Sequence, residues 1–350
     1  MVRLLHLIPH DGMGGVEIAA RSMAAKPPRG CDFRLVFLAG GPIGGSASNI
    51  LSSPFRSASN PLAHARVLRQ VLRHPPDVAI FSLWRTVPVM LALKRLRPAI
   101  RLVYTLNNER TFHRVEATAA AAAVAAADEV WADSEATLGA RLSPSFRGTS
   151  RTISFVSDRL PPVPAIPPVP RFVLWSRLSR QKRVDRAIDL IAQLVERGID
   201  AEFDIYGPDD GERESLVAKA SPLGHRIRFH GPVARSDLPS IARGASFFLL
   251  PSDMEGMAMS CVEAMQLGLV PVVTPAGEMG RYVMPGVSGV LIDPNDPAAA
   301  TDRVMALLAD PKAYAAIRSA AIARWADAPL YADDVSAAAV ALAARRRPSS

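Results

Sequence analysis

The sequence predicts an α/β protein made of two Rossmann-like domains. Three observations carry that reading. Short apolar β-type runs alternate with longer amphipathic segments along almost the whole chain, the pattern of parallel sheets with crossover helices. The alternation stops once, at "LPPVPAIPPVP" (160–170), where six of eleven residues are proline, and then restarts. A chain of 350 residues is long for one hydrophobic core and comfortable for two.

The elements follow in order. "VRLLHLIP" reads as a first strand, "GGVEIAARSMAA" as a helix and "DFRLVFLAG" as a second strand. "NPLAHARVLRQVLRH" is an amphipathic helix, "DVAIFSL" a buried strand, "VPVMLALKRLR" a helix and "IRLVYTL" a strand. The Ala-rich "RVEATAAAAAVAAA" is a strong helix former, followed by strand "EVWADS", helix "EATLGARLS" and strand "RTISFVS". The proline run cannot be helix interior or central strand and reads as a stiff, extended linker. Beyond it come strand "RFVLWS", helix "VDRAIDLIAQLVERG", strand "AEFDIYG", helix "ERESLVAKA" and strand "RIRFHG". A short helix in "SDLPSIARG" has Ser236 as its expected N-cap. Strand "ASFFLLPS", a helix ending at Gly268, strands "LVPVVTP" and "GVLIDP" and helix "DPAAATDRVMALLAD" follow, and "YADDVSAAAVALAARRR" is a last helix with a basic end. The expected layout is a first domain over 1–160, a linker over 161–170 and a second domain over 171–330. A C-terminal helix and basic tail over 331–350 are a candidate to pack back on the first domain. Two such domains would face a central cleft, with ligands at the carboxyl ends of the strands.

Composition narrows the function classes. The chain is 49% hydrophobic and 21% charged, in the globular range. Arg3 interrupts the apolar start, so no leader peptide is expected, and no run reaches the roughly 18 apolar residues of a membrane span. The two cysteines, Cys31 and Cys261, match no metal or redox spacing, and a reduced, cytoplasmic setting is the simplest expectation. The net charge is +8, and it is uneven: residues 1–160 hold 20 Lys+Arg against 11 Asp+Glu, the remainder 21 against 22. An anionic membrane surface would be drawn to the first half, with helices "AHARVLRQVLRH" and "LALKRLR" as contact surfaces; genome composition is the bland alternative. Without an aromatic-interleaved basic strand or zinc spacing, nucleic acid is not the expected partner.

Three segments could carry chemistry. In "LLPSDMEGMAMSCVEAMQLG" two glutamates, Glu255 and Glu263, lie eight apart in an apolar stretch. Glu255 falls in a strand-to-helix loop and Glu263 in the first turns of the helix. The amides of Gly256, Met257, Ala258 and Met259 lie at or near a helix N-terminus, where unpaired N–H groups favour an anion such as phosphate. Ser260-Cys-Val-Glu263 also fits a capping box, so spacing alone leaves a structural and a binding role balanced. In "LWSRLSRQKRVDRAIDLI", Arg177 and Lys182 leave a strand with Arg180 and Arg183 nearby; two cations there suit a diphosphate, or form a solvated basic loop. In "HLIPHDGMGGVEIAARS" the pair Gly14–Gly15 stands between the first strand and helix and can present amides to phosphate. It forms neither a dinucleotide fingerprint nor a P-loop.

In this order the three segments resemble the retaining glycosyltransferases of the GT-B fold, family 4. The first supplies "GGVE". The second supplies "SRLSRQKRVDRAI", with Arg177, Lys182 and Asp185 on the motif. The third supplies Ser252, Glu255, Gly256, Glu263, Ala264, Met265, Gly268 and "VPVV". The resemblance covers nearly the whole chain and is stronger in the second domain. It implies a nucleoside-diphosphate sugar (UDP- or GDP-sugar) as donor substrate, no cofactor and no required metal. The acceptor would be a glycan or a lipid-linked molecule, in bacterial polysaccharide or cell-envelope synthesis, at the inner face of the plasma membrane. Arg177, Lys182 and Glu255 would be catalytic. The two cations would hold the diphosphate, and Glu255 would meet the donor sugar. Gly256 to Met259 would offer amides, Glu263 would take the ribose hydroxyls, Gly207, Pro208 and Val233 would lie by the base, and Gly14 and Gly15 would close on phosphate.

Two positions depart from the family. Asn107 or Asn108 stands where a His is frequent, and an amide can bond a sugar hydroxyl but cannot exchange protons as His does. His10 or His113 is a candidate substitute. Arg281 stands where a carboxylate is common. A non-catalytic donor-binding subunit and a sugar-nucleotide epimerase of related fold are the alternative readings.

Overall fold

The computed structural model describes residues 1–12, 14–28, 30–40, 49–111 and 113–345. Its strands are β1 (Val2–His10), β2 (Cys31–Ala39), β3 (Ile50–Ser52), β4 (Val78–Ser82), β5 (Arg101–Leu106), β6 (Glu129–Ala132), β7 (Ser150–Thr152), β8 (Arg171–Trp175), β9 (Glu202–Tyr206), β10 (Ile227–Gly231), β11 (Phe247–Leu250), β12 (Val270–Val273) and β13 (Val290–Leu291). Its helices are α1 (Gly15–Ala25), α2 (Pro61–Arg73), α3 (Val87–Leu96), α4 (Arg114–Ala126), α5 (Glu135–Arg141), α6 (Val184–Glu196), α7 (Arg213–Ala220), α8 (Leu238–Ala242), α9 (Met259–Leu267), α10 (Met279–Tyr282), α11 (Pro297–Ala309), α12 (Pro311–Ala326) and α13 (Tyr331–Ala344).

The chain divides into two units, one of residues 1–158 with 329–350 and one of residues 159–328. In the first, a seven-stranded sheet has the order β3-β2-β1-β4-β5-β6-β7 with every pairing parallel. Strands covered on both faces must be apolar throughout, and all five residues of β4 are buried. Asn60 caps α2 through its side chain, with Pro61 at the first helical position. The C-terminal helix α13 packs on α1, β1 and β4, and so completes the first unit from the far end of the chain. Residues 346–350, the rest of the expected basic tail, lie outside the described residues.

The second unit holds a six-stranded parallel sheet of order β10-β9-β8-β11-β12-β13. The chain lays down β8, β9 and β10 in one direction, then crosses back to place β11 beside β8. Strand order therefore reverses between β8 and β11, and in the first unit between β1 and β4. Adjacent loops part at such reversals and leave a crevice at the carboxyl ends of the strands.

Several expectations are corrected. The proline-rich segment is extended but is not a free linker. It is strapped to the second unit: Leu160 N–H donates to Gln266, Val163 N–H to the Leu267 carbonyl and Val169 N–H to Ser246. Prolines hold it extended, and the intervening amides fasten it. Ser236 caps no helix, because a 3-10 turn over Arg235–Asp237 precedes α8. "RTISFVS" contributes only Arg151 and Thr152, to strand β7 (Ser150–Thr152), and "GVLIDP" only Val290–Leu291. Strand β3 and the 16-residue helix α12 were not anticipated. Asp293 and Asp296 of "DPNDP" form a turn and the N-cap of α11.

Candidate functional site

At the reversal point of the second sheet the loops after β8, β9 and β11 are zipped together by backbone. Leu178 N–H donates to the Pro208 carbonyl and Asp210 N–H to the Leu178 carbonyl. Asp253 N–H donates to the Gln181 carbonyl, and the Gln181 side chain returns to the Met254 carbonyl at 2.6 Å. This zipper brings together Lys182 and Glu255, 73 residues apart: Lys182 Nζ lies 2.6 Å from Glu255 Oε1. Ser252 Oγ donates to the same oxygen at 2.6 Å. Both charged side chains are largely buried, at 12% and 6% exposure. Burial of a lone charge costs several kcal/mol, roughly, and the contact offsets part of that cost for both side chains.

Arg177 stands apart from that pair, half-exposed and bonded to Asp210 at 3.1 Å. The structure thus places both expected cations at the strand exits but gives each a carboxylate partner. Arg183 serves the scaffold: it adopts a left-handed conformation (φ 50°) at the start of α6 and pairs with Asp185 and Asp253. Those two carboxylates raise its pKa further, the Asp185 hydrogen bond most.

Glu263 sits in the fully buried inner run of α9. The anticipated capping box with Ser260 does not form, because α9 begins at Met259 after Ala258 in the left-handed region (φ 53°), leaving Ser260 inside the first turn without a capping bond. Glu263 instead accepts from Trp175 Nε1 at 3.0 Å, and its other oxygen lies 2.8 Å from Arg235 Nε. Gly268 ends α9 as expected, with φ 87°. Tyr282, fully buried with its pKa raised by burial, donates to the Met257 carbonyl at 2.9 Å and so fixes the backbone of Gly256 to Met259. Gly207 has φ 148°, and a Cβ there would stand 1.6 Å from the Ser176 carbonyl oxygen. Pro208 lends its carbonyl to the zipper, and Val233 is half-buried on the loop after β10.

In the first unit Gly14 precedes α1 and Gly15 opens it, with no side-chain cap among the described residues. His10 ends β1, and partial desolvation of its ring, then the nearby Arg85 charge, lower its pKa. Asn107 follows β5, its Nδ2 donating to Thr105 Oγ1 at 3.1 Å. The Asn108 carbonyl accepts from Arg141. His113 is a cap: its Nδ1 accepts the Glu116 amide at the start of α4. Arg281 is exposed on α10. Sequence reasoning missed Trp175, Asp210, Arg235 and Tyr282, since only the folded loops join them to the site. Trp175 was the most visible of them, an aromatic with a polar edge at the end of an apolar strand.

Residues 160–324 match the family model of glycosyl transferases group 1. The match covers the second unit. The chain is 33% identical over 129 residues to mannosylfructose-phosphate synthase of Agrobacterium fabrum, covering 34% of this chain and 28% of that enzyme. It is 28% identical over 142 residues to D-inositol 3-phosphate glycosyltransferase 1 of Catenulispora acidiphila, covering 38% and 34%. The alignments therefore span about a third of those relatives or less. Two parallel-sheet, Rossmann-like units are the fold of several solved structures. Anabaena HepE, solved in complex with UDP and glucose, superposes with a TM-score of 0.80 at 21% identity over 97% of this chain and 99% of that one. Sucrose-phosphate synthase of Thermosynechococcus elongatus gives 0.77 at 18% identity over 98% and 97%.

Proposed function

We propose that the chain is a retaining glycosyltransferase of family 4 type, moving a sugar from a UDP- or GDP-sugar to a glycan or lipid-linked acceptor. The observation that supports it most is the Lys182–Glu255 contact at the strand-order reversal of the second sheet. A nucleoside diphosphate leaves with added negative charge, and pre-positioned cations stabilise a developing anion without reorganisation. Lys182 and Arg177 take that role. On donor binding Lys182 transfers its contact from Glu255 to the diphosphate, and Glu255 turns to the sugar hydroxyls. Gly256 to Met259 supply amides, Glu263 accepts from the ribose hydroxyls, and Gly207, Pro208 and Val233 flank the base. Gly14 and Gly15, at the start of α1, offer backbone amides to a phosphate. The motif resemblance supports retention and a role in polysaccharide or cell-envelope synthesis.

The test is a panel of UDP- and GDP-sugars with the pure protein, measuring binding by thermal shift, nucleotide release, and the anomeric form of the sugar product by NMR. We expect one nucleotide class to bind and be released, with the anomer kept. Binding without release, with every acceptor tried, identifies a donor-binding subunit instead. A changed sugar still joined to its nucleotide identifies an epimerase.

The acceptor side is proposed to rest on an anionic membrane. No described helix is long and apolar enough to cross one. The exposed stripe of α2 carries Leu62, Arg66, Arg69 and Arg73, and Arg95, Leu96 and Arg97 are exposed at the end of the neighbouring α3. Leu62 is 65% exposed, an apolar side chain among cations, the composition of an interfacial helix. Co-sedimentation should show binding to phosphatidylglycerol vesicles and little to phosphatidylcholine, with loss on changing the three α2 arginines to glutamine. Equal binding to both vesicles overturns the membrane role.

A further inference from the structure

Two successive carbonyls of the loop before α9 are drawn toward one short segment, Gly277 to Tyr282. Glu278 N–H donates to the Gly256 carbonyl at 3.0 Å, and the Tyr282 hydroxyl donates to the Met257 carbonyl at 2.9 Å. The Ala258 carbonyl is the longer alternative for that hydroxyl, at 3.5 Å, and it already accepts the Cys261 amide at 2.9 Å. A carbonyl can only accept, so the direction of both bonds is settled. Gly277 permits the close approach: it has φ 57°, and a Cβ there would stand 2.5 Å from the Gly256 carbonyl oxygen. The Tyr282 ring is held independently of its hydroxyl, by 1% exposure and an edge contact with Trp325 at 5.1 Å between centroids.

A trans peptide is planar, with its N–H opposed to its C=O. No described peptide bond is cis. The Met257 and Ala258 amides therefore point away from Gly277 to Tyr282, and among the described residues neither has an acceptor. Met257 is half-buried and Ala258 is 7% exposed. Backbone N–H groups so placed are ordinarily paired. They follow Glu255 by two and three residues, so donors and a carboxylate acceptor share one loop. That combination separates two kinds of ligand group. A phosphate oxygen accepts from amides but is repelled by a carboxylate. A sugar hydroxyl suits both, donating to the carboxylate and accepting from an amide.

We infer that Tyr282 is a positioning residue, which aims the Met257 and Ala258 amides at a hydroxyl of the donor sugar. The inference rests on the proposed glycosyltransferase reading. It assigns these two amides to the sugar and not to the diphosphate, and a sugar lacking that hydroxyl would leave them without an acceptor.

The test uses the full chain with its best nucleotide sugar from the panel above, the monodeoxy forms of that sugar, and the nucleotide alone as a binding control. Tyr282→Phe removes the hydroxyl and keeps the ring. It should lower kcat/KM about tenfold, the effect of one lost hydrogen bond, and leave the affinity for UDP or GDP alone unchanged. With the native protein one monodeoxy donor should lose about tenfold or more. For that donor Tyr282→Phe should add little further loss, a coupling that a merely structural role would not produce. An unchanged kcat/KM in Tyr282→Phe, a matching loss of affinity for the nucleotide alone, or the same loss with every monodeoxy donor overturns the inference. So does a native protein that handles every monodeoxy donor like the parent sugar, a result that needs no variant. Each of these leaves the glycosyltransferase reading standing. A native protein that turns over no nucleotide sugar overturns both.

Discussion

Lys182→Ala should lower nucleotide-sugar turnover by about two to three orders of magnitude, the effect of removing one pre-positioned group that stabilises a developing anion. It should also lower stability, because Glu255 is left largely buried without its cation. Breaking a buried pair from one side costs roughly 3–5 kcal/mol, mostly the burden of the stranded charge. The two effects separate when the double variant Lys182→Ala/Glu255→Gln, in which the neutral amide keeps an oxygen for Ser252, is compared with Glu255→Gln alone. Chemical denaturation should find most of the stability restored in the double variant, while steady-state nucleotide release stays low. If the double variant recovers activity along with stability, Lys182 is a structural cation and the diphosphate role is wrong.

Gly207→Ala should be among the most destabilising single substitutions in the second unit. The backbone there is at φ 148°, which L-residues seldom adopt, and the new Cβ would coincide with the Ser176 carbonyl at 1.6 Å. That carbonyl belongs to the residue following β8, so the clash cannot be relieved by turning a side chain. Relief would require separating the loops after β8 and β9, which breaks the bonds from Leu178 to Pro208 and from Asp210 to Leu178. A cost above about 4 kcal/mol is expected, with a melting temperature lower by about 10 °C or more. Gly198→Ala is the control, since it also has positive φ (83°) but meets no atom within 4 Å. Equal losses at the two positions would show that backbone strain dominates, with the close approach contributing little.

The strands were legible because a parallel sheet covered on both faces demands continuous apolar runs, such as "FFLL" and "VPVV". The helix α12 escaped because the charges of "PKAYAAIRSAAIARWA" are scattered around it and leave no clear polar face. Its buried face, Tyr314, Ile317, Ala321 and Trp325, does follow helical spacing, and Asp310 followed by Pro311 is a helix-start signature. The two glutamates of the site could be found from their spacing, but their division of labour could not. Nothing local tells that Glu255 meets Lys182 across two strands, or that Trp175 and Arg235 hold Glu263. The capping-box reading failed for a local reason: the left-handed turn at Ala258 starts the helix before Ser260 can cap it. The buried contacts of Ser82 with His6 and with Thr105 were illegible because these residues lie alone in apolar strands, and only the β1-β4-β5 order makes them neighbours.

The second unit is contiguous, whereas the first is assembled from residues 1–158 and 329–350. In chain order the second unit lies between the two segments of the first. A ribosome would release all of residues 159–328 before α13 emerged to cover α1, β1 and β4. The second unit therefore has every residue it needs to fold while the first still waits for its last helix. Truncation should be asymmetric as well: cutting at 328 removes Tyr331 and strips a buried face from the first sheet, yet leaves every residue of the second unit in place.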